Sequence, residues 1–417
     1  MARQVRGARQ VKARAAPTMA AASRNIKAID ATSVHKICSG QVILDPSSAL
    51  KELVENALDA GASKIEVRLK ECGLDTLEVI DNGAGIKPED YESLAGKHTT
   101  SKLAAFDDLT RLTTFGFRGE ALSSLCAISA SVIIQTRTAE QLVGTKLVYD
   151  SNGTLTSTES CAREVGTTVT LSNLFASLPV RHKDFHKNKP REFQRLVRKL
   201  QQYAIINSET RFVCSNSTAK SRNSVLSTQG TGRKIDCVTS LFGAKHRDML
   251  QPLQFDDADA SIKVEGLISK AAPACGLSSG DRQMFFLNKR PVDVPKLAKA
   301  INEVYKQYNM HQYPIYFLNI SMPTTCYDVN VTPDKRQIMF HNESILVEVF
   351  ECCMLHCDIA AYAPFPMSRN NPLVTACAQR TGGVGLGDTL AGGCWCFSQP
   401  RCSFSMRLQS RRRCKTV

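Results

Sequence analysis

Three short stretches of this chain carry the side chains that a nucleotide would need. In the first, residues 47–60, the polar residues Glu52, Glu55, Asn56 and Asp59 gather on one side of a 3.6-residue period, and Glu52 and Asn56, four apart, can reach the same point. The second, Asp81-Asn-Gly-Ala-Gly-Ile86, sets a carboxylate at the end of a strand, where it can accept a hydrogen bond from an exocyclic amine such as that of adenine. Gly83 and Gly85 let a flat ligand approach closely. The third, Phe115-Gly-Phe-Arg-Gly-Glu-Ala-Leu122, places Gly116 and Gly119 just ahead of an apolar helix over 120–128, so that free N–H groups and the positive helix end face whatever lies before them. Phosphates suit that position. Taken singly, the first stretch is also a solvated helix face and the second an ordinary turn. The third decides between them, and since the chain has no Gly-x-x-x-x-Gly-Lys-[Ser/Thr] run, a P-loop is excluded.

The elements that must position these residues can be read from periodicity. Ala49, Leu50, Leu53, Val54, Ala57 and Leu58 form the inward stripe of the first helix, with Asp45 or Ser47 to cap it and Pro46 in its first turn. Residues 64–69 and 75–80 alternate as strands, and further strands are expected at 131–136, 144–149, 154–158 and 167–171, with Asn152-Gly153 as a hairpin signal. Between 90 and 114 the chain is polar and weakly periodic around Gly96-Lys-His-Thr-Thr-Ser-Lys102, which reads as a lid. A mixed sheet with a lid over one face is expected for 26–207, and residues 27–40 form a lead-in segment.

From 208 to 358 a second, smaller α/β domain is expected, with strands at 211–214, 261–268, 283–287, 315–320 and 327–331 and helices at 234–242, 296–308 and 343–357. The fold class is thus α/β (α+β). Residues 1–25 and 359–417 show no helical or strand period and are expected to be disordered.

With 43% hydrophobic residues the chain can form two sizeable cores, and no run of 18 apolar residues exists to span a bilayer. The formal charge of +14 sits mostly in the two ends, leaving the middle close to neutral, so basicity alone says little about DNA. Against that neutral background, one local surplus stands out: Lys183, Lys187, Arg191, Arg195, Arg198 and Lys199, on and before a helix opened by Pro190. It is the best internal candidate for a phosphate-backbone contact, and a merely solvated basic face is the alternative. The 16 cysteines lack a preceding signal core, and those after 351 lack paired Cys-x-x-Cys spacing, so reduced thiols are expected and a zinc site is not.

Lys51-Glu-Leu-Val-Glu-Asn56, Asp81-Asn-Gly-Ala-Gly-Ile86, Gly116-Phe-Arg-Gly-Glu-Ala-Leu122 and Gly166-Thr-Thr168 resemble, in order and spacing, the four motifs of the gyrase, heat-shock chaperone, histidine kinase and MutL ATPase superfamily, the Bergerat-type fold. The Thr99-Thr-Ser-Lys102 and Asp328-Val-Asn-Val-Thr-Pro-Asp-Lys335 segments are similar to the MutL branch in particular, and His35-Lys-Ile-Cys-Ser-Gly-Gln-Val42 and Leu178-Pro-Val-Arg-His-Lys183 to its eukaryotic "post-meiotic segregation increased" type.

The resemblance, which covers about residues 26–357, implies a second domain of the ribosomal-protein-like, left-handed βαβ kind. It further implies a weak ATPase in DNA mismatch repair, an ATP-gated clamp on DNA in the nucleus acting with a MutL-homologue partner subunit. It assigns Glu52 as general base and Asn56 as ligand to Mg²⁺. Asp81, with Gly83 and Gly85, takes adenine. The phosphates fall to Gly116, Phe117, Arg118, Gly119, Glu120, Ala121 and Leu122, helped by Lys102, Thr168 and Lys335. Nothing in the chain matches the family's C-terminal metal-dependent endonuclease, so nicking is not expected of it. Two alternatives stand beside this reading: a chaperone- or topoisomerase-type ATP clamp, and a non-catalytic copy that binds DNA or a partner.

Overall fold

The computed structural model describes residues 28–100, 102, 114–116, 119–257, 260–329, 331–332 and 334–356. The expected extension (1–25) and tail (359–417), most of the lid, and Phe117 and Arg118 lie outside the described residues.

Two helices lead the chain. The first, α1 (Ala31–Val42), fills what the sequence shows only as a lead-in, and Asp30 caps it by accepting from the Ser33 N–H at 2.8 Å. In α2 (Pro46–Asp59) the Asp45 carboxylate accepts from the Ser48 N–H at 2.7 Å and Pro46 occupies the first turn, where a missing N–H costs nothing. Leu50, Leu53 and Val54 are at most 3% exposed, and each such burial contributes about 2 kcal/mol.

A large mixed sheet follows. Its strands are β1 (Lys64–Lys70), β2 (Thr76–Asp81), β3 (Ser131–Arg137), β4 (Gly144–Tyr149), β5 (Leu155–Cys161), β6 (Gly166–Ser172), β7 (Arg211–Ser217) and β8 (Arg222–Ser227), in the order β5-β4-β3-β6-β2-β1-β7-β8. Only β1 and β7 run parallel. In β1 the alternation is plain: Ile65, Val67 and Leu69 are buried while Lys64, Arg68 and Lys70 are exposed. Helix α3 (Ala121–Ile128) packs on α1 and β3. Helix α5 (Lys189–Ile206), entered through α4 (Pro179–Lys187), packs on α2.

Strands β7 and β8 correct the sequence reading. Residues 211–217, expected to open the second domain, pair instead with β1, because the 18-residue α5 returns the chain to that edge of the first sheet. The weakly patterned β8 has mostly exposed side chains and was not foreseen, nor was α4.

The smaller sheet contains β9 (Leu250–Asp257), β10 (Ile262–Ser269), β11 (Gln283–Leu287), β12 (Arg290–Val292) and β13 (Tyr316–Ser321), in the order β12-β11-β13-β10-β9 with β11 and β13 parallel. Between the sheets run α6 (Lys234–Phe242) and the short α7 (Lys245–Met249). Helix α8 (Pro295–Lys306) packs against α9 (Glu343–His356), enclosing Val264, Leu297, Ile301, Leu318 and Ile320. The strand expected at 327–331 is reduced to β14 (Tyr327–Asp328), paired with β15 (Met339–Phe340). Both sheets are mixed, so the α/β (α+β) class is what the chain adopts.

Candidate active site

A cavity of about 950 Å³ opens between α2, the ends of β2, β3 and β6, and the segment that runs into α3. From α2, Glu52, Asn56 and Asp59 line it, an i, i+4, i+7 stripe that one helix face must share. Glu55, grouped with them on sequence, is a correction: it is fully buried and faces away, towards α5. Its Oε1 accepts from the Tyr203 hydroxyl at 2.5 Å and its Oε2 from the Lys51 ammonium at 2.9 Å. Lys51, only 4% exposed in its side chain, also donates to Glu52 Oε1 at 2.7 Å. Burial alone would raise Glu55's proton affinity, yet Lys51, with Arg290 and Lys335 behind it, holds the carboxyl well below the ordinary range.

The floor is main chain. Asp81, the last residue of β2, accepts at Oδ1 from the Gly83 N–H (2.8 Å) and the Thr167 N–H (3.1 Å). Burial pushes its carboxyl above the usual value, these two bonds opposing. Gly85 lines the cavity with φ +76°, and a Cβ there would stand 2.2 Å from the Arg137 carbonyl oxygen. Gly83 stands behind the wall, closed against Ala60. Thr168 needs correcting by one residue: Thr167 and Val169 line the cavity, so Thr168, alternating with them along β6, points to the other side of the sheet. Val79, Ile86, Ile134 and Val169 give this end an apolar lining.

The mouth is built from side chains of distant segments. Lys102 donates to Asn56 Oδ1 at 3.1 Å and to Asp59 Oδ2 at 2.6 Å. The Asp59 carboxylate also takes the N–H groups of Phe115 and Gly116 at 3.0 and 3.1 Å. An amide oxygen and a carboxylate are hard donors of the kind that a magnesium ion prefers, and here the Lys102 ammonium occupies both. Gly119 (φ +61°) backs onto the Thr99 carbonyl, and Glu120, Ala121 and Leu122 begin α3 at the wall with no side chain capping its N–H groups. That is an anion site in form.

From the second sheet's side comes Lys335, in a turn with φ +55°, only 4% exposed, its ammonium 3.1 Å from the Phe115 carbonyl oxygen. Burial lowers its pKa to about 8; Glu52 opposes the fall and Lys51 adds to it. Arg290 of β12 donates to the same carbonyl at 3.0 Å and lies over the Phe115 ring. Glu52, Asn56, Asp81, Gly85, Lys102, Gly116, Gly119, Glu120, Ala121, Leu122 and Lys335 therefore meet at one cavity.

The candidate phosphate-backbone residues lie elsewhere. Lys183, Lys187, Arg191, Arg195 and Arg198 are exposed along α4 and α5. Arg195 pairs with Glu192 at 2.9 Å and Arg198 with Asp281 at 3.6 Å. Lys199 is not on that surface: it is buried beside Arg336 and Lys51, and desolvation lowers its pKa to about 8. Its place one residue after Arg198 turns it about 100° around the helix, into the packed side.

Sequence reasoning placed Asp59 on the same side of the helix as Glu52 and Asn56 but gave it no role, and it missed Thr167 as a cavity residue and Lys51, Tyr203 and Arg290 as the support of Glu52, Glu55 and Phe115. The role of Asp59 was within reach, since it continues the Glu52 and Asn56 spacing by one turn. Tyr203 and Arg290 come from positions 148 residues and more away from Glu55 and no local pattern marks them.

Comparison with known proteins places these residues in context. Residues 44–163 match the family described as histidine kinase-, DNA gyrase B- and HSP90-like ATPase, and residues 238–354 the family described as DNA mismatch repair protein, C-terminal domain. The chain is 48% identical over 323 residues to the DNA mismatch repair protein PMS1 of Arabidopsis thaliana, covering 77% of this chain and 35% of that protein. It is 45% identical over 350 residues to the mismatch repair endonuclease PMS2 of Homo sapiens, covering 80% and 40%. The chain thus spans well under half the length of these curated relatives. A crystal structure of the N-terminal domain of a DNA repair protein superposes with a TM-score of 0.69 at 43% identity, over 76% of this chain and 95% of that one.

Proposed function

Because the chain belongs to the MutL family of DNA mismatch repair proteins and is PMS1/PMS2-like, we propose that it is an ATP-binding and slowly ATP-hydrolysing module of mismatch repair. The observation that carries this reading is the convergence of Glu52, Asn56, Asp81 and Lys335 on one cavity from three separate parts of the chain.

Asp81 accepts a hydrogen bond from the adenine amine, over the apolar wall of Val79, Ile134 and Val169. The N–H groups from Gly116 to Leu122 bind phosphate oxygens, with Lys102 and Lys335 as cations; Thr167 takes the place expected of Thr168. Glu52 acts as general base: Lys51 holds Oε1, which leaves Oε2 to take the proton of an attacking water. Asn56 offers its amide oxygen to Mg²⁺, which when bound spreads the charge of the phosphates.

ATP acts as a latch. Binding closes the lid and holds Lys335 and the second sheet against the first; hydrolysis releases them. Partner engagement with a MutL-homologue subunit, closure around DNA and a nuclear location complete the reading, with the exposed row from Lys183 to Arg198 touching the DNA backbone.

ATP hydrolysis by the chain beside Glu52→Ala and Asn56→Ala tests the enzyme. Both variants should lose at least about 100-fold in rate, the usual share of a general base. Equal rates for the three would end the proposal. For DNA, Arg191, Arg195 and Arg198 changed to Glu should weaken retention and lower the salt slope by about one per lost contact, whereas Lys199→Met should leave both alone.

A further inference from the structure

The charge array behind Glu52 enters the chemistry above only through its first link, the Lys51 contact, and what holds Lys51 in turn has no part there. Lys51 is the residue next to Glu52, yet its ammonium is withdrawn into the protein at 4% side-chain exposure, between Glu52 Oε1 at 2.7 Å and Glu55 Oε2 at 2.9 Å. Glu55, 1% exposed in its side chain, is fixed from its other oxygen by the Tyr203 hydroxyl at 2.5 Å. Tyr203 is itself 1% exposed and packs edge-on against Phe115, ring centroids 6.1 Å apart. The result is a continuous chain of donors and acceptors, from Tyr203 on α5 to Glu55, to Lys51, to Glu52.

Such an array is a poor device for stability, because withdrawing charges from water is costly and a packed apolar set of the same volume is commonly as stable or more so. Its specific effect is geometric. A glutamate on the cavity side of a helix has three freely rotating torsions, and a base must be held within about half an ångström to act on a water. One short ion pair to Oε1, itself clamped from behind, removes that freedom and leaves Oε2 outside the clamp on a residue that lines the cavity.

We propose that Lys51 and Glu55 are positioning residues for ATP hydrolysis, a buried clamp that fixes the Glu52 carboxylate through the Lys51 ammonium and is anchored by Tyr203. The proposal rests on the reading of Glu52 as the base. Neither Lys51 nor Glu55 lines the cavity, so the clamp acts on turnover and not on nucleotide binding.

Steady-state ATP hydrolysis with Mg²⁺ is measured for the full chain and for Lys51→Met, Lys51→Arg, Glu55→Gln, Tyr203→Phe and Glu52→Ala, with thermal unfolding of each. Lys51→Met is expected to lose about 100-fold in kcat with KM for ATP within about twofold, the cost of a misplaced reactive group. Glu55→Gln, which keeps the shape, is expected to lose about tenfold, and Tyr203→Phe about threefold. Lys51→Arg, which restores a cation between the two acids, should recover most of kcat. Should Lys51→Met fail to fold, the kcat and KM of Glu55→Gln and Tyr203→Phe decide the matter. The clamp is overturned if kcat is unchanged, or if kcat and KM worsen together in proportion to lost stability, as packing damage would have it. If Glu52→Ala is inactive while Lys51→Met turns over normally, the clamp alone fails. If Glu52→Ala matches the parent chain, the reading of the base fails and takes the clamp with it.

Discussion

The floor of the cavity and its mouth are held by different kinds of contact. At the floor, Asp81 is fixed by two backbone N–H groups, Gly166 lies against the Asp81 carbonyl with φ +127°, and Arg163 donates to that same carbonyl at 3.1 Å. At the mouth, Lys102 bridges Asn56 and Asp59, while Lys335 and Arg290 both reach the Phe115 carbonyl. Main-chain contacts in a sheet yield only when the sheet does, whereas side-chain cations can exchange one acceptor for another. The floor is thus suited to recognising a fixed shape, and the mouth to responding to a charge.

The largest expected effect comes from breaking the floor. A Cβ at Gly166 would stand 2.2 Å from the Asp81 carbonyl oxygen and 2.8 Å from Asn82 Cα, both backbone, at a φ that L residues avoid. Gly166→Ala should destabilise the chain by about 3 kcal/mol in urea unfolding. A loss under about 1 kcal/mol would mean that the floor gives way as easily as the mouth.

Asp81→Asn sharpens the comparison without breaking it. Since Oδ1 takes both N–H groups, an asparagine can keep them while turning an amide donor towards the cavity, where the carboxylate offers an acceptor. Affinity for ATP should fall by about 2 kcal/mol, or roughly 30-fold, by calorimetric titration. Stability should move the other way. Asp81's carboxyl is raised by burial, so the folded chain holds that proton more tightly than the unfolded one. The stability this gives is present below the unfolded pKa and is lost as pH rises through the folded one. Asp81→Asn should therefore be more stable than the parent at neutral pH and no more stable in acid. Equal melting curves at both would contradict the desolvation of Asp81.

The same division explains what could be read in advance. The stripe of α2, the strand leading to Asp81 and the glycines before α3 are local patterns, and the helix 234–242 begins and ends where its spacing says. Thr167 was missed by a single residue because Gly166-Thr-Thr168 offers two adjacent threonines and only strand phase chooses between them. Lys199 was misplaced because a run of cations hides which of them the helix turns inward. The mouth was the least legible: Lys102 and Lys335 were named by motif, but the shared Phe115 carbonyl, Arg290 and the Asp59 hub arise from contacts 43 to 220 residues apart. The β7–β8 hairpin shows the same limit, for nothing local says which sheet edge a returning helix will deliver it to.

The smallest expected effect separates the two cations of the mouth. Lys102 is held by a carboxylate, whereas the contact that reaches Lys335 at the mouth is a carbonyl, and burial lowers Lys335 to about 8. An anionic phosphate arriving beside Lys335 favours its ammonium form, so above about pH 8 nucleotide binding must draw a proton from solvent. Affinity for ATP should fall by about tenfold between about pH 7 and about pH 9, with proton uptake seen as a dependence of the binding enthalpy on buffer. Lys335→Arg should abolish that slope, because a guanidinium stays charged throughout, while Lys102→Arg should leave it in place. If the slope survives Lys335→Arg, the titrating group lies elsewhere, and the mouth is then as fixed in charge as the floor is in shape.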